Sequence, residues 1–260
     1  MVITGAARGL GRAYADLLVA RGAQVVVNDV KPDSRAAIDD THDVSTPEGA
    51  SALVDAALAR FGRIDALIAN AGIMQWADIP DADAANLDAH MAVHLGGSFH
   101  TARAAWPNFV EQGYGRIVLT TSTGLFGLRG NVSYASAKGA VIGLMRALAF
   151  AGRAHGIAAN CIAPAASTRL AGDGGPGLPP ALVAPMAAYL AHEACPVTGE
   201  IYTAGGGRFA RVFVASTNGY VDDAPTIETV ADNWAAINDE AGYFEPADLT
   251  TWAAHFLGHL

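Results

Sequence analysis

The sequence predicts an α/β fold: a doubly wound parallel sheet with helices on both faces. Three features predict it. Short β-branched runs lack polar alternation, as strands buried on both faces do. Longer segments of helical period lie between those runs. A glycine-rich turn follows the first run and leads into the first helix.

Taken in order, Val2-Ile3 is a short first strand. Leu10, Ala13, Tyr14, Leu17 and Leu18 then fall on one helical face, and Gly22 stands where a C-terminal cap belongs. Val25-Val26-Val27 is the second strand. Only 14 positions separate Asp29 from Asp43, too few for a full helix and a full third strand. The crossover is therefore shortened, or residues are missing from that stretch. A second helix takes Thr46 as N-cap and Pro47 in its first turn, buries Leu53, Val54, Ala57 and Leu58, and closes at Gly62. Leu67-Ile68, Ile117 to Leu119, Ala158 to Ile162 and Ile201-Tyr202 complete the strands, and a long helix runs from about Tyr134 to His155.

This is a Rossmann-like pattern in a single catalytic domain over residues 1–207, with a C-terminal extension over 208–260. In the extension, Val212-Phe213-Val214 reads as an added strand. The acidic stretch with Trp234 and Trp252 reads as helices packed on the domain or on a partner subunit. Residues 171–180, rich in Gly and Pro, are expected to form part of a lid at the strand ends, where open α/β sheets bind ligands.

Composition excludes several functions. The 260 residues hold 16 basic and 25 acidic side chains, net −9, a balance that argues against a general nucleic-acid binder, which needs a basic face. No uncharged apolar run reaches about 18 residues, which argues against a membrane span. Cys161 and Cys195 cannot make a disulfide framework, and structure begins at Val2 with no room for a signal peptide; both point to the cytoplasm. Of the 16 basic residues only Lys31 and Lys138 are lysine.

Thr4-Gly5-Ala6-Ala7-Arg8-Gly9-Leu10-Gly11 is spaced to let the backbone approach a pyrophosphate at the positive end of the first helix. Asp29 ends the second strand, 18 residues after Gly11. A carboxylate there accepts hydrogen bonds from ribose hydroxyls and repels a 2′-phosphate, which favours NAD over NADP. Arg8 is the counter-argument, since a cation would welcome that phosphate. Tyr134 and Lys138 stand at i and i+4 on one helix. A phenol has a reference pKa of about 10, and a nearby ammonium is expected to lower it enough for acid–base work at a substrate oxygen.

These motifs, with Asn70-Ala71-Gly72 after the expected fourth strand, resemble the short-chain dehydrogenase/reductase family over about residues 1–207. Val25 to Asp29, Val93-His94-Leu95, Arg103 to Pro107 and Ala204 to Phe213 resemble its hydroxyacyl-CoA dehydrogenase branch. The resemblance implies that Asp43-Val44 flank the adenine, that Asn70 to Gly72 line its ribose, and that Pro164 to Thr168 contact nicotinamide. It also implies a homodimer or homotetramer. The family's catalytic serine falls at Thr121 by position, with Ser122 as its chemical rival one residue on; alternation along a regular strand would let only one face substrate. The family's helix asparagine is matched by His94, a catalytic candidate that could relay a proton through water. His90 and His94 have zinc-ligand spacing, but Met91 replaces the acid of such motifs, and no metal is expected.

The expected function is NAD-dependent interconversion of a secondary alcohol and a ketone, such as a 3-hydroxyacyl-CoA or another bulky hydroxy compound. Arg129, Arg169 and Arg208 are candidates for a CoA phosphate, and Phe126, Leu170 and Leu178 for the wall of a bulky pocket. The alternative is an NAD-binding sensor or oligomerisation protein with impaired catalysis.

Overall fold

The structure, a computed structural model, describes residues 1–31, 39–127, 129–168, 170 and 178–258. Each β-branched run becomes a strand: β1 (Val2–Ile3), β2 (Val26–Val27), β3 (Ala66–Ala69), β4 (Gly115–Thr120), β5 (Ile157–Pro164) and β6 (Ile201–Gly205). These pair in parallel in the order β2-β1-β3-β4-β5-β6, confirming the doubly wound sheet.

A seventh strand, β7 (Arg208–Val212), extends the sheet beside β6. Gly206 and Gly207 link the two at φ +59° and +78°, the left-handed pair a two-residue hairpin turn requires. The added strand therefore precedes the expected Val212-Phe213-Val214 and shares only its first residue. Placing the turn glycines before the strand moves it forward, and Phe213 stacks instead on Tyr243, 5.6 Å away.

The shortened crossover is also present. Where a third strand was expected beyond β2, the described residues hold a single parallel bridge, Asn28 to Asp40. Asn28 Nδ2 donates to Asp40 Oδ1 (2.7 Å) and to the His42 carbonyl (2.9 Å), pinning the chain where a longer ladder would otherwise do so. Asn70 to Gly72 consequently follow the chain's third strand rather than its fourth.

Helices cover both faces. On one, α1 (Gly9–Ala20) and α6 (Ala184–Leu190) bury Tyr14, Ala15, Val183, Ala187 and Leu190 against Ile3, Ile68, Val118 and Ile162. The alternate strand residues Leu67, Ile117 and Leu119 face the other side, as the pleat dictates. That side carries α2 (Pro47–Phe61), α4 (Gly97–Gln112) and α5 (Val132–Gly152). The long helix thus starts two residues before Tyr134 and passes into a 3₁₀ turn, Arg153–His155, before Gly156 closes it in the left-handed region. Between α3 (Ala84–His90) and α4, Met91–Gly96 winds as a π-helix, a widening common near functional sites.

Tyr14 is wholly buried in this core, and its hydroxyl has no hydrogen-bond partner among the described residues. A buried unpaired hydroxyl costs about 1–3 kcal/mol. Tyr14→Phe is therefore expected to raise Tm, by roughly 2–4 °C for each kcal/mol recovered. Thermal denaturation checks it, and a lower Tm would show the hydroxyl is bonded in solution.

The chain divides into two compact units, Met1–Arg211 and Val212–Leu260. The first runs past the expected boundary at 207 because the hairpin turn lies there. The second holds α7 (Ile227–Asp232), α8 (Trp234–Ile237) and α9 (Leu249–Leu257), tied by an antiparallel bridge of Ser216 with Phe244 and by stacking of Phe244 on His255 at 4.3 Å. No described helix is long and apolar enough to cross a membrane.

Candidate active site

The chain runs from β1 out to β2 and returns to β3 on the other side of β1. That reversal opens a crevice at the carboxyl ends of β1 and β3. Gly5 turns there at φ +61°, and a Cβ on it would stand 2.6 Å from the Ala71 Cα. Gly11 admits the start of α1 in the same way, since its Cβ would meet the Gly5 carbonyl at 2.5 Å. Asn70 Nδ2 ties the turn to β3 by donating to the Thr4 and Gly5 carbonyls (3.1 and 3.0 Å), and Thr4 Oγ1 accepts from the Asn70 and Ala71 amides.

Arg8 is the N-cap of α1 but makes no side-chain cap, and the first turn holds no acid. The helix therefore presents uncapped amides beside Gly9, whose φ of +59° keeps the backbone bare. Asp29 lies at the end of β2, and its carboxylate accepts from the Ala7 amide (3.2 Å) and the Lys31 amide (3.0 Å). Asp43 Oδ1 accepts from the Ser45 amide, and Val44 is buried beside it.

Thr121 and Ser122 lie just past the end of β4, so strand alternation does not decide between them. Their bonds do. Thr121 Oγ1 donates to the Lys138 carbonyl at 2.7 Å and is committed to holding α5. Ser122 Oγ accepts from the Gly124 amide (2.9 Å) and bonds Tyr134.

Lys138, 3% exposed, sends Nζ to the Thr120 carbonyl at 2.6 Å and lies 5.7 Å from the centre of the Tyr134 ring. Burial brings its pKa down to about 7. The expected depression of the Tyr134 pKa is not what the protein groups produce. Burial raises the Tyr134 pKa, with the Ser122 hydrogen bond opposing it. The physical reason is that the ammonium is drawn to the Thr120 carbonyl and its own charge is disfavoured by burial. At neutral pH Tyr134 is a phenol ready to donate its proton.

His94 meets Tyr134 edge-on at 5.2 Å, and its Nε2 lies 2.9 Å from the Ile73 carbonyl. Burial, then the Lys138 charge, hold its pKa well below the usual histidine range. His90 stacks on His94 at 5.8 Å with its own nitrogens against Asn86 O (2.8 Å) and the Gln75 amide (3.2 Å). No cluster of three or more metal-ligating side chains occurs among the described residues.

One cavity of about 580 Å³ joins these groups. Gly5, Arg8, Gly9, Leu10, Asp29, Asp43, Val44, Asn70, Ala71, Gly72, His94, Thr121, Ser122, Tyr134, Lys138, Pro164 and Thr168 all line it. Of the expected catalytic and phosphate-cradle residues, Gly11 stands behind the lining, in its packing role. Leu170 and Leu178 line the cavity, whereas Phe126 is largely exposed and is not part of it. Arg129 is paired with Asp78 at 3.2 Å, and Arg208 is exposed on β7. Arg169 and residues 171–177 of the expected lid lie outside the described residues.

Sequence reasoning missed Asn131, which lines the same cavity three residues before Tyr134. Its signal was available: an asparagine standing immediately before a long helix.

A fold with a glycine turn at its switch point and a Tyr–Lys helix beside it defines a nucleotide-dependent oxidoreductase class. The family model for short chain dehydrogenases matches residues 1–172, and the chain belongs to the short-chain dehydrogenase/reductase family. It is 38% identical to the Mycobacterium tuberculosis short-chain type dehydrogenase/reductase Rv0148, over 93% of this chain and 94% of that one. Full-length peroxisomal multifunctional enzyme type 2 from Drosophila melanogaster superposes with a TM-score of 0.81 at 28% identity, covering 99% of this chain and 48% of that larger protein. The 3-ketoacyl-(acyl-carrier-protein) reductase from Brucella melitensis, solved with NADH, has a TM-score of 0.72 at 27% identity, covering 80% and 96%.

Proposed function

We propose that this oxidoreductase is NAD-dependent and interconverts a secondary alcohol and a ketone, with 3-hydroxyacyl thioesters as the substrate class. The carrying observation is that the uncapped start of α1, Asp29, Ser122, Tyr134 and Lys138 share one cavity. The kinship with a multifunctional enzyme and a ketoacyl reductase supports the acyl class.

The residues present fit a dinucleotide. The bare glycine turn and uncapped amides suit a pyrophosphate. Asp29, Asn70 and Lys138 would hold ribose hydroxyls, Asp43 and Val44 the adenine, and Pro164 to Thr168 the nicotinamide end. When bound, that group supplies a hydride acceptor or donor. Tyr134 passes the proton to or from the substrate oxygen, and Ser122 orients that oxygen by hydrogen bonding. Thr121 holds Lys138 in place, and His94 props the wall at Ile73.

A sensor with impaired catalysis would have no need for a phenol bonded to Ser122 above a buried lysine. The exposed Phe99, Val110 and Phe150 on α4 and α5 support a homodimer or homotetramer through those helices, and the free, buried cysteines support a reducing, cytoplasmic setting.

Turnover followed by NADH absorbance, over 3-hydroxyacyl thioesters and other secondary alcohols, tests the reading. The expected result is turnover with NAD at a kcat/KM at least about tenfold above that with NADP, because a 2′-phosphate would be repelled by Asp29. Preference for NADP would overturn the cofactor assignment. Tight NAD binding without turnover on any substrate would favour the sensor.

A further inference from the structure

His90 is wholly buried, yet neither the proposed proton path nor the cofactor contacts use it. It ends α3, and a closed ring of three hydrogen bonds ties Gln75 to that helix through it. His90 Nε2 accepts from the Gln75 amide (3.2 Å), its Nδ1 lies 2.8 Å from the Asn86 carbonyl, and Asn86 Nδ2 donates to the Gln75 carbonyl (3.2 Å). A backbone amide only donates and a carbonyl only accepts, so the imidazole carries its proton on Nδ1 and offers a lone pair at Nε2. A second proton on the ring would set two N–H groups against each other at Gln75.

Gln75 stands within a segment whose neighbours Ile73, Met74 and Trp76 wall the cavity. The two ends of the segment are held separately. His94 Nε2 meets the Ile73 carbonyl at 2.9 Å, and the Ala77 amide donates to Gly130 O at 3.0 Å. Asp78 Oδ1 accepts from the Gly130 amide at 2.6 Å. A Cβ on Gly130 would lie 3.5 Å from Trp76 Cε3, so the indole rests beside the turn that leads to Asn131 and Tyr134. The Trp76 end of the wall thus borders the reacting groups, and the middle of it depends on the tie at Gln75.

The surroundings of His90 offer no counter-charge. His94 stacks on it at 5.8 Å, Tyr134 meets it edge-on at 6.2 Å, and Lys138 Nζ lies 5.7 Å from the centre of that Tyr134 ring. The acids nearest in the chain serve elsewhere. Asp83 caps α3 at the Asn86 amide, Asp78 holds Gly130 and Arg129, and Asp81 and Asp88 are exposed.

We infer that His90 is a positioning residue: its uncharged ring, through the Gln75 amide, holds the wall from Ile73 to Trp76 where the substrate is received, and acid releases that wall. The role rests on the dehydrogenase reading above and adds to it a residue that acts on substrate binding without touching the reacting atoms.

Steady-state kinetics with NAD and a 3-hydroxyacyl thioester, together with amide exchange at Gln75, test this in wild type, His90→Phe and His90→Gln. Phenylalanine keeps a stacked ring but gives Gln75 no acceptor; glutamine can offer an amide oxygen near the Nε2 place and does not titrate. His90→Phe is expected to raise the thioester KM about tenfold, with kcat changed by less than about threefold and the KM for NAD unmoved. His90→Gln is expected to restore most of that loss. It should also lack the rise in KM that wild type shows from about pH 8 to about pH 5. Exchange at Gln75, corrected for its intrinsic rate, should quicken in wild type on acidification and in His90→Phe at every pH, while the β3 amides stay protected. Where His90→Phe does not fold, the wild-type exchange and the glutamine variant's pH profile decide. Equal Gln75 protection in wild type and His90→Phe, an unchanged thioester KM, a fall in kcat and NAD binding together, or an acid limb kept by His90→Gln overturns the assignment and leaves the dehydrogenase reading standing. Turnover of no alcohol by wild type removes the dehydrogenase reading, and the exchange at Gln75 then decides by itself whether His90 holds the wall.

Discussion

Tyr134→Phe is expected to lower kcat/KM by roughly a hundred- to ten-thousand-fold, the range a positioned general acid or base supplies. NADH binding and the melting temperature should hardly change. The substitution removes one oxygen and leaves the ring, which packs edge-on against His94 and lies 5.7 Å from Lys138 Nζ. Because burial raises the Tyr134 pKa, the phenol is protonated at neutral pH, the form that would donate to a ketone in the proposed reaction. Ser122→Ala removes the hydrogen bond that counters that burial and the proposed donor to the substrate oxygen. A loss of about a hundredfold is the comparable effect of deleting one preorganised donor. Thr121→Val instead loosens the bond to the Lys138 carbonyl and should cost stability more than turnover. Steady-state kinetics on the three variants, with Tm for each, check the set. A Tyr134→Phe enzyme within tenfold of wild type would remove Tyr134 from the proton path, and a larger catalytic loss at Thr121 than at Ser122 would exchange their roles.

That pair also shows where sequence reading stops. The strands, the glycine turn and the Tyr–Lys helix are local patterns: each depends on residues a few positions apart, and each is found where its period places it. The choice between Thr121 and Ser122 depends on a bond between residues 17 positions apart, made only when α5 docks on β4. Counting from Tyr134 favoured the threonine; docking commits that hydroxyl to the helix and leaves the serine beside the phenol. The Tyr134 pKa went the other way from expectation because i, i+4 spacing fixes which residues share a helix face, whereas the sign of the shift depends on burial and on the Thr120 carbonyl that draws the ammonium away. The hairpin of β6 and β7 was legible in Gly206-Gly207, but the apolar run just beyond them was the stronger lure.

Lys138→Met is expected to move activity and stability in opposite directions, and the stability change to depend on pH. The wild-type ammonium is enclosed, bonded to one carbonyl, and brought down to a pKa of about 7 by burial, against 10.5 for a free lysine. Below pH 7 the side chain is charged in both folded and unfolded chains, so the folded state bears the whole cost of burying that charge. Between pH 7 and 10.5 the folded chain has released the proton while the unfolded chain still holds it; unfolding then takes up a proton, and wild-type stability rises with pH. Methionine fills a similar volume without a charge and has no such slope. The variant should therefore melt higher than wild type at pH 6, with the advantage narrowing through pH 7–10. Cys161 lies in the same field, but burial pushes its thiol up to about 12, so it stays protonated across that window. Turnover should fall by at least about a hundredfold, since Tyr134 loses its neighbouring cation and the proposed cofactor loses a ribose contact. Thermal melts of both proteins from pH 6 to pH 10 decide it. A variant less stable than wild type at pH 6, or a stability difference flat in pH, would mean that the lysine is neutral or well compensated in the folded protein. Its presence in a chain with only two lysines is then a matter of packing rather than of charge kept for catalysis.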